Sequence, residues 1–74
     1  LEINELTVDV TEVRALETRL LNYMPVCEVK VWVFFRRVEE PLSITVDFQN
    51  EPDAAAEWCE IIKGELSRKK DQYS

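Results

Sequence analysis

The side chains able to do chemistry are few in kind: fifteen Asp and Glu, nine Lys and Arg, two Cys and no His. Histidine is the usual general base near neutral pH and the commonest metal ligand, so triads built on it are excluded. The single glycine, Gly64, lies within a helical pattern and leaves no phosphate-cradling loop or dinucleotide fingerprint. Cys27 and Cys59 are far apart and form no CxxC pair, which argues against a zinc site. Their apolar neighbours point to buried free thiols; the alternative is one bridge between them, in an oxidising compartment. A reactive thiol would need a cation or helix N-terminus beside it, and the sequence offers neither. A pair of catalytic carboxylates must converge in a concave site. Glu39 and Glu40 instead share an expected turn, and most others lie on solvated helix faces. Asp47 alone is expected beside aromatics. The expectation is a chain without catalysis, cofactor or metal.

Recognition chemistry is better represented. Residues 29–48 read as two strands joined by a turn at Glu39-Glu40. In the second, Leu42, Ile44, Val46 and Phe48 alternate with Ser43, Thr45, Asp47 and Gln49, one dry side and one wet. In the first, Val29, Val31, Val33 and Phe35 fill the dry side, while Lys30, Trp32, Phe34 and Arg36 fill the other. A turn at Glu39-Glu40 pairs Phe35 with Ile44, Val33 with Val46, Val31 with Phe48, Phe34 with Thr45 and Trp32 with Asp47. Trp32 and Phe34 then point away from the core, with Lys30, Arg36, Thr45 and Asp47 around them. Such a patch suits a protein contact, aromatic at the centre and charged at the rim, or self-association through sheet faces, which would help so small a core. It also suits a stacking platform for single-stranded nucleic acid, or cover by a segment such as the tail at Tyr73.

Three further elements must position that hairpin. Leu1, Ile3, Leu6 and Val8 suggest a short strand with an irregularity at Asn4-Glu5. Asp9 followed by Glu12 resembles a capping box, with Val8 and Val13 at staple spacing. The stripe Val13, Leu16, Leu20 and Met24, with Leu21 beside it, then predicts a helix from Val10 to Met24 that Pro25 stops. Asn50 as cap and Pro52 in the first turn open a second helix over Glu51 to Lys69. Its buried stripe is Ala55, Trp58, Cys59, Ile62 and Leu66, widened by Ile61; Arg68, Lys69 and Lys70 suit its negative end. The expected fold is α+β in the order β-α-β-β-α: a three-stranded, mainly antiparallel sheet with two helices on one face. In topology it resembles a ferredoxin-like unit that lacks its last strand.

Seventy-four residues make one domain, spanning 1–74, near the lower limit for a single core. The net charge of −6 is uneven, because residues 1–62 hold thirteen acidic against five basic side chains. An acidic body repels phosphate backbones and suits a basic protein surface. No signal-peptide pattern, lipidation motif or transmembrane-length run occurs, so a cytoplasmic location without membrane contact is expected. The function read from these features is a small acidic regulatory domain that binds, and could inhibit, another protein. By size and charge it resembles the compact inhibitors encoded by phages and mobile elements. In that resemblance, acidic outer residues such as Glu12, Glu17, Asp53, Glu57 and Glu60 would carry the contact. The competing reading is a single-strand nucleic-acid binder that uses Trp32 and Phe34.

Overall fold

A computed structural model describes residues 1–23 and 25–72; Met24 and Tyr73, both used above, lie outside them. The chain is α+β, with one helix rather than two. β1 (Glu2–Ile3) and β2 (Leu6–Thr7) form a small antiparallel hairpin. A single 3-10 turn, Val10–Glu12, leads into β3 (Val13–Tyr23), β4 (Val26–Phe35) and β5 (Leu42–Asp47). These three make one antiparallel sheet in the order β3-β4-β5. The chain closes on helix α1, Pro52–Gln72. The ferredoxin-like order is therefore replaced: the first strand is a hairpin outside the main sheet, and the expected first helix is a sheet strand.

The irregularity at Asn4-Glu5 is the hairpin turn. Asn4 has φ 57°, a left-handed conformation that asparagine tolerates better than most residues. The start signal at Asp9 is real but opens only one turn. Its carboxylate accepts from the Thr11 amide at 3.0 Å and the Thr11 hydroxyl at 2.7 Å. Those two bonds, the hydroxyl's first, hold the Asp9 pKa below its ordinary value. Glu12, expected to reach back to the cap, faces Arg37 at 3.7 Å instead. Both side chains are well exposed, so the pair contributes little.

Beyond Glu12 the chain extends because β4 needs a partner along both edges. An interior strand leaves unpaired N–H and C=O groups wherever a neighbour is missing, and β3 supplies that neighbour from Val13↔Phe35 to Tyr23↔Val26. Each helix-forming residue in 14–21 favours a helix by only a fraction of about 1 kcal/mol, which packing overrides. The register slips between Val13 and Ala15, so Arg14 is the extra residue of a β-bulge. That slip puts Val13 on the same side as Leu16, Thr18 and Leu20, opposite Phe35, Val33, Val31 and Val29. A bulged strand has thereby produced the spacing of a helical stripe. Leu21, expected beside that stripe, faces the other way, opposite Glu28.

The β4–β5 register also differs from the expectation. Val33 pairs with Leu42, Val31 with Ile44 and Val29 with Val46. Phe35 is claimed by Val13, and the Arg36 amide donates to the Glu12 carbonyl at 2.9 Å. Pro41 has no amide to donate, and β5 begins just after it. The connection is therefore residues 36–41 rather than a tight turn at Glu39-Glu40. The displacement is an even number of residues, so both faces keep their side chains.

The core lies between the sheet and α1. Cys27, Val29, Val31 and Val33 from β4, Val13 from β3, and Ala55, Cys59, Ile62 and Leu66 from α1 are buried, joined by Ile3, Val8 and Val10. Both cysteines are free thiols. Trp58 is half-buried with its ring centroid 5.6 Å from that of Phe48, but Ile61, expected on the stripe, is exposed. The helix start differs slightly: Asn50, expected as the cap, has φ 66°, and it is the Glu51 carbonyl that accepts the Ala55 amide at 3.1 Å.

Candidate functional site: the outer face of the sheet

With α1 on one side, the side chains that alternate with the core residues form the other face of the sheet. Pairing sets them in rows across the three strands. Leu21, Glu28 and Asp47 form one row, followed by Arg19, Lys30 and Thr45, then by Glu17, Trp32 and Ser43. Ala15 and Phe34 complete the series, with the Arg14 guanidinium carbon 5.7 Å from the Phe34 ring centroid, within reach of a cation–π contact. Trp32 and Phe34 are half-buried by their neighbours on this face.

The electrostatics alternate row by row. Glu28 and Asp47 oppose each other, and so do Arg19 and Lys30. Like charges directly opposite disfavour a pair of strands, and each row is compensated only diagonally by the next. Among the described residues, no ion pair joins these side chains. The face is a banded surface, with aromatics at one end and charges of both signs at the other.

Of the residues singled out in the sequence, Lys30, Trp32, Phe34, Thr45 and Asp47 share this face. Asp47 stands opposite Glu28 rather than Trp32, whose neighbour is Ser43. Its carboxylate accepts the Gln49 amide at 2.9 Å, where the chain turns through Gln49 and Asn50, both at positive φ. Arg36 lies beyond the end of β4, exposed in the 36–41 connection, and does not extend the patch as expected. Glu57 and Glu60 are exposed on α1, in the layer on the far side of the sheet. Of the eight residues, five therefore share the sheet face, two lie on α1, and Arg36 belongs to neither surface.

Arg14, Ala15 and Arg19 were missed because their segment reads as a helix, which also put Glu17 on a solvated helix face rather than on this sheet. Glu28 was missed because β4 begins at Val26, three residues before the expected strand. The signal was present in the alternation of Ala15, Glu17 and Arg19 with Leu16, Thr18 and Leu20. Among the described residues, no three His, Cys, Asp or Glu side chains converge as a metal site would require. No helix among them is long and apolar enough to cross a membrane. No family model matches the chain, nor does any curated protein or solved structure.

Proposed function

We propose that this chain is a small, acidic, non-catalytic domain that binds another protein and regulates it, in the manner of a compact inhibitor working in the cytoplasm. The observation that carries the reading is the pair Trp32 and Phe34, half-buried on a sheet face that no described element covers. Large aromatics that can be desolvated at the centre of a patch are the residues that most often dominate a protein contact, with charges serving as the rim. Here Arg19, Lys30, Glu17 and Glu28 supply that rim. The net charge of −6 favours a basic partner surface.

A nucleic-acid ligand fits less well. The single basic row, Arg19 and Lys30, is bracketed by Glu17 on one side and by Glu28 and Asp47 on the other, which leaves no continuous track for a phosphate backbone.

The test is capture from a nuclease-treated lysate of the cells that encode the chain. The immobilised protein is expected to retain a specific protein partner after nuclease. Trp32→Ala, as the loss of a central anchor, is expected to weaken that capture about 10-fold or more. Changing Glu57 and Glu60 to Lys alters a different layer and should weaken capture less than Trp32→Ala. Capture that vanishes with nuclease, together with tight binding of a labelled single-stranded oligonucleotide, would overturn the reading. Insensitivity to Trp32→Ala combined with loss in the Glu57→Lys/Glu60→Lys chain would move the contact to α1.

A further inference from the structure

The outer edge of β3 is eleven residues long and unpaired in the sheet. Its directions follow from the ladder. Tyr23 pairs with Val26 across a two-residue connection, and such a closing pair exchanges its backbone groups inside the hairpin. By alternation, the amides and carbonyls of Leu16, Thr18, Leu20 and Asn22 point to the open edge. The far end agrees, since the Arg36 amide bonds to the Glu12 carbonyl at 2.9 Å, and the bulge at Arg14 converts that even phase to the odd one. The Arg14 carbonyl at the bulge already accepts from Lys70 Nζ at 3.4 Å, and the regular stretch over residues 15–23 is an exposed ladder that can serve as a template for another strand.

We infer that the β3 edge pairs antiparallel with the β3 edge of a second copy, about a two-fold axis at Thr18, joining two three-stranded sheets into one of six strands. Charge complementarity selects both the occupant and the register. Centred on Thr18, Glu17 stands opposite the partner's Arg19, and Arg19 opposite the partner's Glu17, on the outer face. On the helix side Leu16 meets the partner's Leu20, and Leu20 the partner's Leu16. Moving the axis one residue toward the N-terminus sets Glu17 against its own copy; moving it the other way sets Arg19 against its own copy. Only the Thr18 register among these three makes both charge pairs, and it makes them at non-hydrogen-bonded positions, where side chains lie closest.

The single chain shows what this pairing would repair. Leu20 is 39% exposed although its side chain points to the core side. Arg19 lies opposite Lys30, and the partner's Glu17 would place a carboxylate beside these two cations. A shallow concavity of about 530 Å³ straddles the middle of this edge, lined by Leu16, Glu17, Thr18, Arg19, Trp32 and Lys63. It gives an approaching strand room at the centre of the proposed contact, and the flexible stem of Lys63 can carry its charge to water. The opposite edge is a poorer candidate, because β5 has six residues and opens just after Pro41.

This inference goes beyond the proposed function, since it concerns the edge rather than the face. Glu17 and Arg19 also belong to the proposed rim, so the two readings are separated with Thr18→Pro, which leaves every rim side chain in place. A monomeric Thr18→Pro chain that still captures its protein leaves that function standing, and a dimer that captures nothing leaves the dimer standing. The experiment is light scattering over a concentration series up to about 1 mM, a range that reaches weak interfaces. Wild type is expected to become dimeric. Thr18→Pro is expected to stay monomeric with an unchanged far-ultraviolet circular dichroism spectrum, because the amide it removes points to the open edge and not to β4. Glu17→Arg alone and Arg19→Glu alone each replace two attractive contacts by two repulsive ones and should weaken dimerisation about 10-fold or more. The double change Glu17→Arg/Arg19→Glu should restore it. Should Thr18→Pro fail to fold, the charge reversal and its rescue decide the matter alone. A wild type that remains monomeric, a folded Thr18→Pro that still dimerises, or a double variant no better than the single ones would overturn the inference.

Discussion

Val31→Asp is expected to abolish folding, with the far-ultraviolet circular dichroism of the purified chain reduced to that of a disordered polypeptide. Val31 is 0% exposed, paired with Thr18 on one side and Ile44 on the other, and enclosed in the cluster that includes Val29, Val33 and Ile62. Among the described residues no polar or charged side chain is buried, so an aspartate there would find no partner. An unpaired buried charge costs at least several kcal/mol. At roughly 0.05–0.15 kcal/mol per residue, a chain of this length has only about 4–11 kcal/mol of stability in total. The graded control is Val31→Ala, which removes two methyl groups and should cost about 2 kcal/mol while preserving the fold. A cooperative Val31→Asp transition within a few degrees of wild type would mean that β4 is not the buried centre of the sheet.

Ile3→Ala is expected to lower the melting temperature by more than about 10 °C, through a loss of about 2–5 kcal/mol. A two-residue strand cannot hold itself in place, and the β1–β2 hairpin is secured in two ways. The Leu1 amine donates to the Val8 carbonyl at 3.0 Å and the Val8 amide to the Leu1 carbonyl at 2.7 Å. Ile3 is 0% exposed in the core, near Ile44 of β5, with which it lines a shallow cavity. Leu6, on the same hairpin, is 37% exposed, and its replacement by alanine should cost less than about 1 kcal/mol. Thermal denaturation of the two variants side by side checks this. Equal, small effects would show that the hairpin does not depend on Ile3 for its place in the core.

How far these elements could be read in the sequence depends on how cleanly each one repeats. β5 alternates without interruption and α1 carries both a proline start and an apolar stripe, so both were legible. β4 was legible from Val29 onward by its alternating valines, although Trp32 and Phe34 blur its wet side, and its first three residues, 26–28, were not read as strand. β3 was not legible. Its residues Arg14, Ala15, Leu16, Glu17, Arg19, Leu20 and Leu21 are good helix formers, and the bulge at Arg14 converts a two-residue repeat into the 13, 16, 20 spacing of a helix. What makes this segment a strand is the unsatisfied edge of β4, a long-range demand with no local signature. The face around Trp32 survived the register error because the displacement was even. Its third strand could not be seen until β3 was in the sheet, so Arg14 and Arg19 were missing from the candidate site and Glu17, expected on a helix face, was not placed beside Trp32. Arg36 was placed on the face by extending the β4 alternation one residue too far, past the point where its amide turns to Glu12.

The most direct test of the central claim, that the outer face of the sheet is open to a partner, is acrylamide quenching of Trp32 fluorescence. The chain has two tryptophans, and Trp58→Phe leaves Trp32 as the only one while preserving an aromatic ring beside Phe48. At dilutions where the chain is monomeric, the expected result is ready quenching and the red-shifted emission of a partly solvated indole. Blue-shifted emission protected from acrylamide would contradict the open face, because Trp32 would then already be covered within the single chain.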